Sequence, residues 1–479
     1  MKKSLVALLL VLCLLFSIFA MASCSKPMPN FEMPEGGFDM ENEVTIVFYH
    51  TMGQTLQTAL ESAIEAFNRL YPNIHIDHRQ IGGYDDVRDQ ISTELNAQRQ
   101  PNIAYCYPDH IALYNAAGAV VTLDQFMDYG QVITRADGTT EILGLTQEQK
   151  DDFVDGYWNE GNSFGDGLMY SLPLSKSTEL LFYNADYFEE HDLTVPKTWA
   201  EMEALCARIK ELDPNCIPLG YDSEANWFIT LCEQYGYPYT VLDTSETGTH
   251  YLFDDERNYE FVEMIRRWYE LGYVTTQEIY GSYTSNLFTE TDPEKTKSYM
   301  SIGSSGGTAH QAPTADGDGN YPFEVGIATI PQVDPENPKA ISQGPSLCIF
   351  QNEDPQEVIA SWLLMKFLTT DVPFQVDFSV ASGYVPVIES AKNEGYYQWF
   401  LSQANGTKWI TALGASVCLE QADAYFTSPA FNGSTVAREQ VGLLLQKCMV
   451  GQWGDDPAVI REKIKQAFAD AKIECEYRS

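Results

Sequence analysis

The chain has 479 residues, with 68 Asp and Glu against 29 Lys and Arg, for a formal net charge of −39 at pH 7. A surface this acidic repels phosphate backbones and anionic lipid head groups, which excludes nucleic acid as a partner. At this length the chain exceeds what one hydrophobic core organises, so two lobes are expected.

At the amino terminus, Lys2 and Lys3 precede an apolar run from Leu5 to Ala20 that ends in Ala22-Ser23 before Cys24. This is the pattern of a secretory signal peptide over residues 1–23. The run, about 16 residues, is short for crossing a hydrocarbon core of roughly 30 Å, and no later stretch is continuously apolar for longer. A mature chain without a membrane span is expected. Met21-Ala22-Ser23-Cys24 resembles a bacterial lipobox, with Met21 standing where such motifs carry Leu, Val or Ile. It implies lipidation of Cys24 and attachment to the outer face of the cell membrane through that anchor alone. Residues 24–43 include Pro27, Pro29, Pro34, Gly36 and Gly37 without a periodic apolar pattern, and are expected to form a flexible tether.

Val44-Thr45-Ile46-Val47-Phe48-Tyr49 is β-branched and aromatic, and Leu56, Leu60, Ile64 and Phe67 follow at helical spacing. Ile74-His75-Ile76-Asp77 alternates as a second strand, a helix runs from Tyr84 to about Asn96, and Ile103-Ala104-Tyr105-Cys106-Tyr107 makes a third strand. Strand and helix alternate, which predicts a parallel sheet with helices on its faces. The rhythm resumes with Glu179-Leu180-Leu181-Phe182-Tyr183, then Thr198-Trp199-Ala200-Glu201 at capping-box spacing ahead of Met202, Leu205 and Ile209. Phe323–Ala328 and Leu347–Phe350 read as strands, and Asp354-Pro355 opens an amphipathic helix. Helical patterns dominate from Tyr396, notably Ala437–Met449 and Pro457–Ala471.

Of ten cysteines, Cys13 falls in the leader and Cys24 at its end; Cys106, Cys206, Cys216, Cys232, Cys348, Cys418, Cys448 and Cys475 remain, with no C-x-x-C pair. Export permits disulfides, but a chain this large does not need them. Buried thiols are expected, with a Cys206–Cys216 bridge as the alternative. Three chemical motifs fail on inspection. Gly303-Ser304-Ser305-Gly306-Gly307 satisfies G-x-S-x-G, yet the sole His after Ser305 is His310, too near for an intervening acid loop. Asp316-Gly317-Asp318-Gly319-Asn320 begins like a calcium loop but has Tyr321 and Ile327 where Gly and Glu are needed. His75 and His78 lack a third ligand nearby, so no metal and no cofactor are expected. Paired carboxylates of a glycosidase cannot be singled out among 68 acids, and no acid is read in an apolar strand-end setting that would raise its pKa.

Five stretches, taken in order, resemble the extracellular solute-binding proteins of ABC transporters, family 1, of the maltose and glycerol-phosphate type. They are Phe48-Tyr49-His50-Thr51-Met52, Tyr170-Ser171-Leu172-Pro173 through Tyr183-Asn184, Pro196-Lys197-Thr198-Trp199, Gly344-Pro345-Ser346 and Ser382-Gly383-Tyr384-Val385-Pro386. The resemblance spans about Val44 to Asp456. It implies an α/β fold like the class II periplasmic binding proteins, with two discontinuous lobes, a hinge and a ligand cleft between them. The N-terminal lobe would comprise 44–172 and 342–383, and the C-terminal lobe 173–341 and 384–479. Crossovers would fall near Leu172–Ser177, Ile341–Gly344 and Gly383–Pro386.

The same resemblance implies a binding component rather than an enzyme: a monomer that captures a small solute and delivers it to permease and ATPase subunits. Tyr84, Ser177, Ser305, Gly344 and Tyr384 stand at positions that look like ligand contacts in such relatives, and Trp227 resembles a cleft-lining aromatic. A carboxylate that would bind a glycerol hydroxyl is replaced by Pro108 with Asp109 adjacent, and a phosphate-clamping Arg falls near Ala430, where there is none. An anion without its guanidinium fork loses its strongest contact, so a neutral sugar or oligosaccharide is expected. Glycerol 3-phosphate or a glycerophosphodiester is the alternative, and a surface carbohydrate-active enzyme a remoter one. Aromatics are 13% of the chain, and those beside loops can stack on the apolar faces of sugar rings while Asp109 and Ser305 meet hydroxyls.

Overall fold

A computed structural model describes residues 30–478. The expected signal peptide and the expected lipidation site Cys24 lie outside the described residues. In chain order the strands are β1 (Val44–His50), β2 (Ile74–Gln80), β3 (Ile103–Cys106), β4 (Val132–Thr134), β5 (Thr140–Ile142), β6 (Leu172–Pro173) and β7 (Ser177–Asn184). They continue as β8 (Leu219–Tyr221), β9 (Val274–Thr276), β10 (Met300–Ser304), β11 (Val325–Thr329), β12 (Ala340–Gln343), β13 (Ser346–Ile349) and β14 (Tyr425–Phe426).

Two sheets result. The first has the order β2-β1-β3-β13-β6. The second runs β14-β12-β7-β10-β8-β9, with β11 pairing β7, and β4 and β5 form a separate hairpin. Both are mixed rather than parallel: β1 is parallel to β2 and β3, but β13 is antiparallel to β3 and to β6. The reason is connectivity. A parallel neighbour needs a long crossover, usually a helix, whereas β6 and β13 arrive in the first sheet beside the short passes that link it to the second.

Each sheet has its own core. In the first, Ile46, Phe48, Ile103 and Leu347 pack with Leu60, Phe67 and Trp362 from the helices Gln54–Leu70 and Pro355–Thr370. In the second, Leu181 and Ile302 pack with Trp199, Trp227, Trp268 and Phe468. The expected capping box forms: Thr198 Oγ1 accepts from Glu201 N and the Glu201 carboxylate accepts from Thr198 N, starting the helix Trp199–Leu212. All eight cysteines in the described residues are buried free thiols, Cys206 and Cys216 included.

Two sequence expectations change. Part of the tether is docked: Phe31 and Phe38 are buried, Phe31 stacks on Phe126 with centroids 5.0 Å apart, and its N–H donates to Gln351 Oε1. These aromatic side chains carry enough apolar surface to hold a Pro- and Gly-rich strip in place. The division at residue 384 also moves, because Val385, Val387, Ile388, Tyr397 and Phe400 join the first core. The helix Val372–Ser382 packs along Gln54–Leu70, and the chain after it stays on that side, where Val154 N donates to Val387 O and Ser390 N to Asp152 Oδ1.

Three backbone passes between the sheets lie against one another. Lys176 and Val385 exchange backbone hydrogen bonds of 3.2 and 2.8 Å, and Gly344 sits where a Cβ would lie 2.4 Å from Ser175 O. Its φ of +95° is a second reason for glycine there. Within this crossing Lys176, fully buried, forms an ion pair with Glu160, whose Oε1 also accepts from Ser346 Oγ at 3.2 Å. Removing one member leaves a buried charge without its partner. Lys176→Met is therefore expected to lower stability by about 3–5 kcal/mol, and adding Glu160→Gln to recover most of it, in urea unfolding followed by Trp fluorescence.

Candidate functional site

A cavity of about 500 Å³ lies between the lobes, lined by Tyr84, Tyr107 and Tyr384 together with Glu179, Asp222 and Gln311. It joins a wider hollow that shares Tyr84, Tyr107, Asp222 and Asn226 and adds Asp109 and Arg438.

Local structure places the tyrosines. Tyr84 is the first residue of the helix Tyr84–Leu95, entered through Gly82 at a φ of +51°. Tyr107 is the last residue before Pro108 starts the next helix at the end of β3. The Tyr84 and Tyr107 rings stack with centroids 4.2 Å apart, and Tyr105 stacks behind Tyr84 at 5.6 Å. Tyr384 follows Gly383, which ends a helix in the left-handed conformation, and its hydroxyl lies 3.5 Å from that of Tyr84. Gly306 lets this ring close in, since a Cβ there would sit 2.6 Å from Tyr384 Cζ. Burial pushes the Tyr84 and Tyr384 phenols up from their ordinary value, so both are neutral and able to donate at neutral pH.

The lining is also acidic. Glu179, at the start of β7, accepts from Tyr221 OH at 2.5 Å and from Asn226 Nδ2 at 3.0 Å. Burial pushes its carboxyl up to about 7, against the pull of those two hydrogen bonds and of Arg438. Asp222 holds Thr284 through Oδ1, which accepts from Thr284 N at 2.6 Å and Oγ1 at 2.7 Å; burial raises its carboxyl too. Arg438, on the helix Ser434–Val450, donates Nη2 to Asn226 Oδ1.

Four of the residues expected from sequence border this space: Tyr84, Tyr384 and Asp109, with Gly344 in a narrow recess that also contains Asp109 and Arg438. Three do not. Trp227 is fully buried, stacked on Tyr221 at 4.7 Å and flanked by Trp199 and Trp268. It lies in the helix Glu224–Tyr235, where one residue turns the side chain by about 100°, so Asn226 reaches the cleft and Trp227 the core. Ser177 and Ser305 are buried behind the wall; Ser304 Oγ donates to Ser177 Oγ, and Ser305 Oγ accepts from Thr178 N and lies 3.5 Å from Cys418 Sγ. Ser304, one residue away, borders the cavity instead.

The sequence reading missed Glu179, Asp222, Gln311 and Arg438. Glu179 had a visible signal, a lone carboxylate opening the buried apolar run Leu180–Phe182, and it corrects the statement that no acid occupies such a setting. The cleft also has a guanidinium after all: Ala430 is buried without one, but Arg438 arrives from the following helix. Helical spacing from a distant segment offered no way to foresee that arrival.

Residues 62–404 match the family described as bacterial extracellular solute-binding protein. The chain belongs to that family. Among curated relatives, the sn-glycerol-3-phosphate-binding periplasmic protein UgpB of Salmonella typhimurium is 24% identical over 370 residues, covering 74% of this chain and 77% of that one. The Escherichia coli K12 protein of the same name is 23% identical over 371 residues, with the same coverage. Among solved structures, the GacH receptor of Streptomyces glaucescens superposes with a TM-score of 0.68 at 14% identity, over 90% of this chain and 99% of that one. UgpB from Mycobacterium tuberculosis, solved with glycerophosphocholine, gives 0.69 at 17% identity over the same shares. These likenesses support the two-lobed fold. No helix among the described residues is long and apolar enough to cross a membrane.

Because Trp227 is core and not cleft, Trp227→Ala is expected to cost about 3–5 kcal/mol of stability. Chemical denaturation measures that loss; an unchanged midpoint would return Trp227 to the binding surface.

Proposed function

We propose that this solute-binding protein captures a sugar or oligosaccharide outside the cell and delivers it to the permease of an ABC importer. The observation that carries this reading is the meeting of stacked tyrosines with hydroxyl, amide and carboxyl side chains around a cavity of about 500 Å³. Sugar rings present apolar C–H faces to aromatic planes and hydroxyls at their edges. A ligand touching both walls favours the closed arrangement because it gains its full set of contacts only there. The protein acts by binding, as a monomer, without chemical turnover and without a cofactor, and Tyr84 and Tyr384 are the residues on which the ligand rests.

Arg438 supports a second reading, a glycerol phosphate or phosphodiester, since a guanidinium is the natural partner of that anion. The acids of the same hollow weigh against this: Arg88 and Arg478 are paired with Asp85, Asp89 and Glu439, while Asp86 and Asp109 add negative charge without an ion pair of their own among the described residues. Titration calorimetry with neutral oligosaccharides and with glycerol 3-phosphate decides between the two. A saccharide is expected to bind, with Tyr84→Ala weakening it at least tenfold, about 1.4 kcal/mol; binding of glycerol 3-phosphate alone would establish the second reading.

Cys24 is proposed as the lipid-bearing residue that holds the mature chain at the membrane surface. Fractionation of cells expressing Cys24→Ser should find the protein released to the soluble fraction, whereas retention in the membrane would refute the anchor.

A further inference from the structure

Part of the cavity lining, around Gln311 and Asp222, carries hydrogen-bond acceptors that the protein leaves unused. Gln311 is 2% exposed and borders the cavity, and its Oε1 is buried there without a hydrogen-bond partner. Asp222 stands beside it. A Cβ built on Gly303 would lie 2.7 Å from Asp222 Oδ2 and 3.2 Å from Gln311 Nε2, so that glycine is what leaves room for the two side chains together. Asp222 commits Oδ1 to Thr284, which leaves Oδ2 on the Gln311 side. Glu179 completes the wall. Among the described residues neither carboxylate forms an ion pair within 4.0 Å. Glu179 faces Tyr221 from β8, Asn226 from the helix Glu224–Tyr235 and, across that asparagine, Arg438. Asp222 faces Thr284, and His310 is the other titratable side chain besides the tyrosines at this cavity.

Two buried carboxyl groups without a matching cation are costly to keep ionised when the lobes close and water leaves. A ligand can supply what is missing. We propose that the solute is an amino-substituted sugar whose protonated amine sits among Asp222, Glu179 and Gln311 Oε1, facing the rings of Tyr84 and Tyr384. This rests on the sugar-binding reading and narrows it. An ammonium carries three donors and no acceptor, which suits Asp222 Oδ2 and the unpartnered Gln311 Oε1. A hydroxyl in its place leaves the charge uncompensated. The tyrosines that line the same cavity add cation–π attraction. A quaternary ammonium would share that attraction and the charge, but it has no N–H for Gln311 Oε1, so the orphaned acceptor selects the protonated amine.

The test is calorimetry of the mature chain at pH 7 with one disaccharide framework in three forms: chitobiose with free amines, its N,N′-diacetyl derivative and cellobiose, alongside glycerophosphocholine. The free-amine form is expected to bind at least tenfold more tightly than the two neutral forms. Asp222→Asn should bring that ratio towards one, while a thermal midpoint close to that of the parent chain shows that the fold is kept. Equal or tighter binding of the neutral forms overturns the amine and leaves the sugar reading standing. Tightest binding of glycerophosphocholine overturns it in favour of the phosphodiester reading, and an unchanged ratio in Asp222→Asn overturns the assigned seat. Silence from every saccharide, the neutral panel included, overturns both readings together.

Discussion

The architecture depends on a crowded crossing of backbone at the centre of the molecule. The segments around Lys176, Gly344 and Val385 pass between the two sheets within hydrogen-bonding distance of each other, and no side chain fits between Gly344 and Ser175. Such a bundle of short links lets two cores move relative to one another while keeping them in register. The buried Lys176–Glu160 pair sits in that crossing and ties it to the base of the cleft, which Glu160 also borders. A buried ion pair is a weak source of net stability, because desolvating both charges offsets most of their attraction.

The cleft inherits its character from this arrangement. Each wall belongs to elements that are packed from behind: Tyr105 supports Tyr84, and Tyr221 and Asn226 hold Glu179. Side chains fixed in this way lose little further freedom when a ligand arrives, which favours affinity in a site of modest size. The same packing explains why Ser177 and Ser305 serve the wall without facing the ligand. Their hydroxyls are taken up by Ser304, Thr178 and Cys418, groups that hold β7 and β10 to the neighbouring turn.

Much of the fold was legible because strand and helix periods differ. Val44–Tyr49 and Glu179–Tyr183 read as strands and fall inside β1 and β7, and the capping-box residues Thr198 and Glu201 mark the true start of a helix. The short strands β8, β9 and β10 were not distinguished, since three to five residues carry too little pattern to separate a buried strand from a loop. The mixed direction of the sheets was invisible for a related reason: pairing direction follows from where the chain returns, which no local period encodes. Phe31 and Phe38 show the same limit, being isolated aromatics in a segment whose prolines and glycines speak for flexibility until a partner surface is present.

The sequence by itself determined the acidic, two-lobed α/β character of the chain, because charge and alternating periods are properties of neighbours along the backbone. Through family resemblance it also pointed to Tyr84, Asp109, Gly344 and Tyr384 at the cleft. Only the tertiary structure decided which face of a helix meets the ligand, turning Asn226 in and Trp227 away, and which distant charges meet there. Glu179, Asp222, Gln311 and Arg438 come from four separate segments, and their encounter is a consequence of packing rather than of spacing.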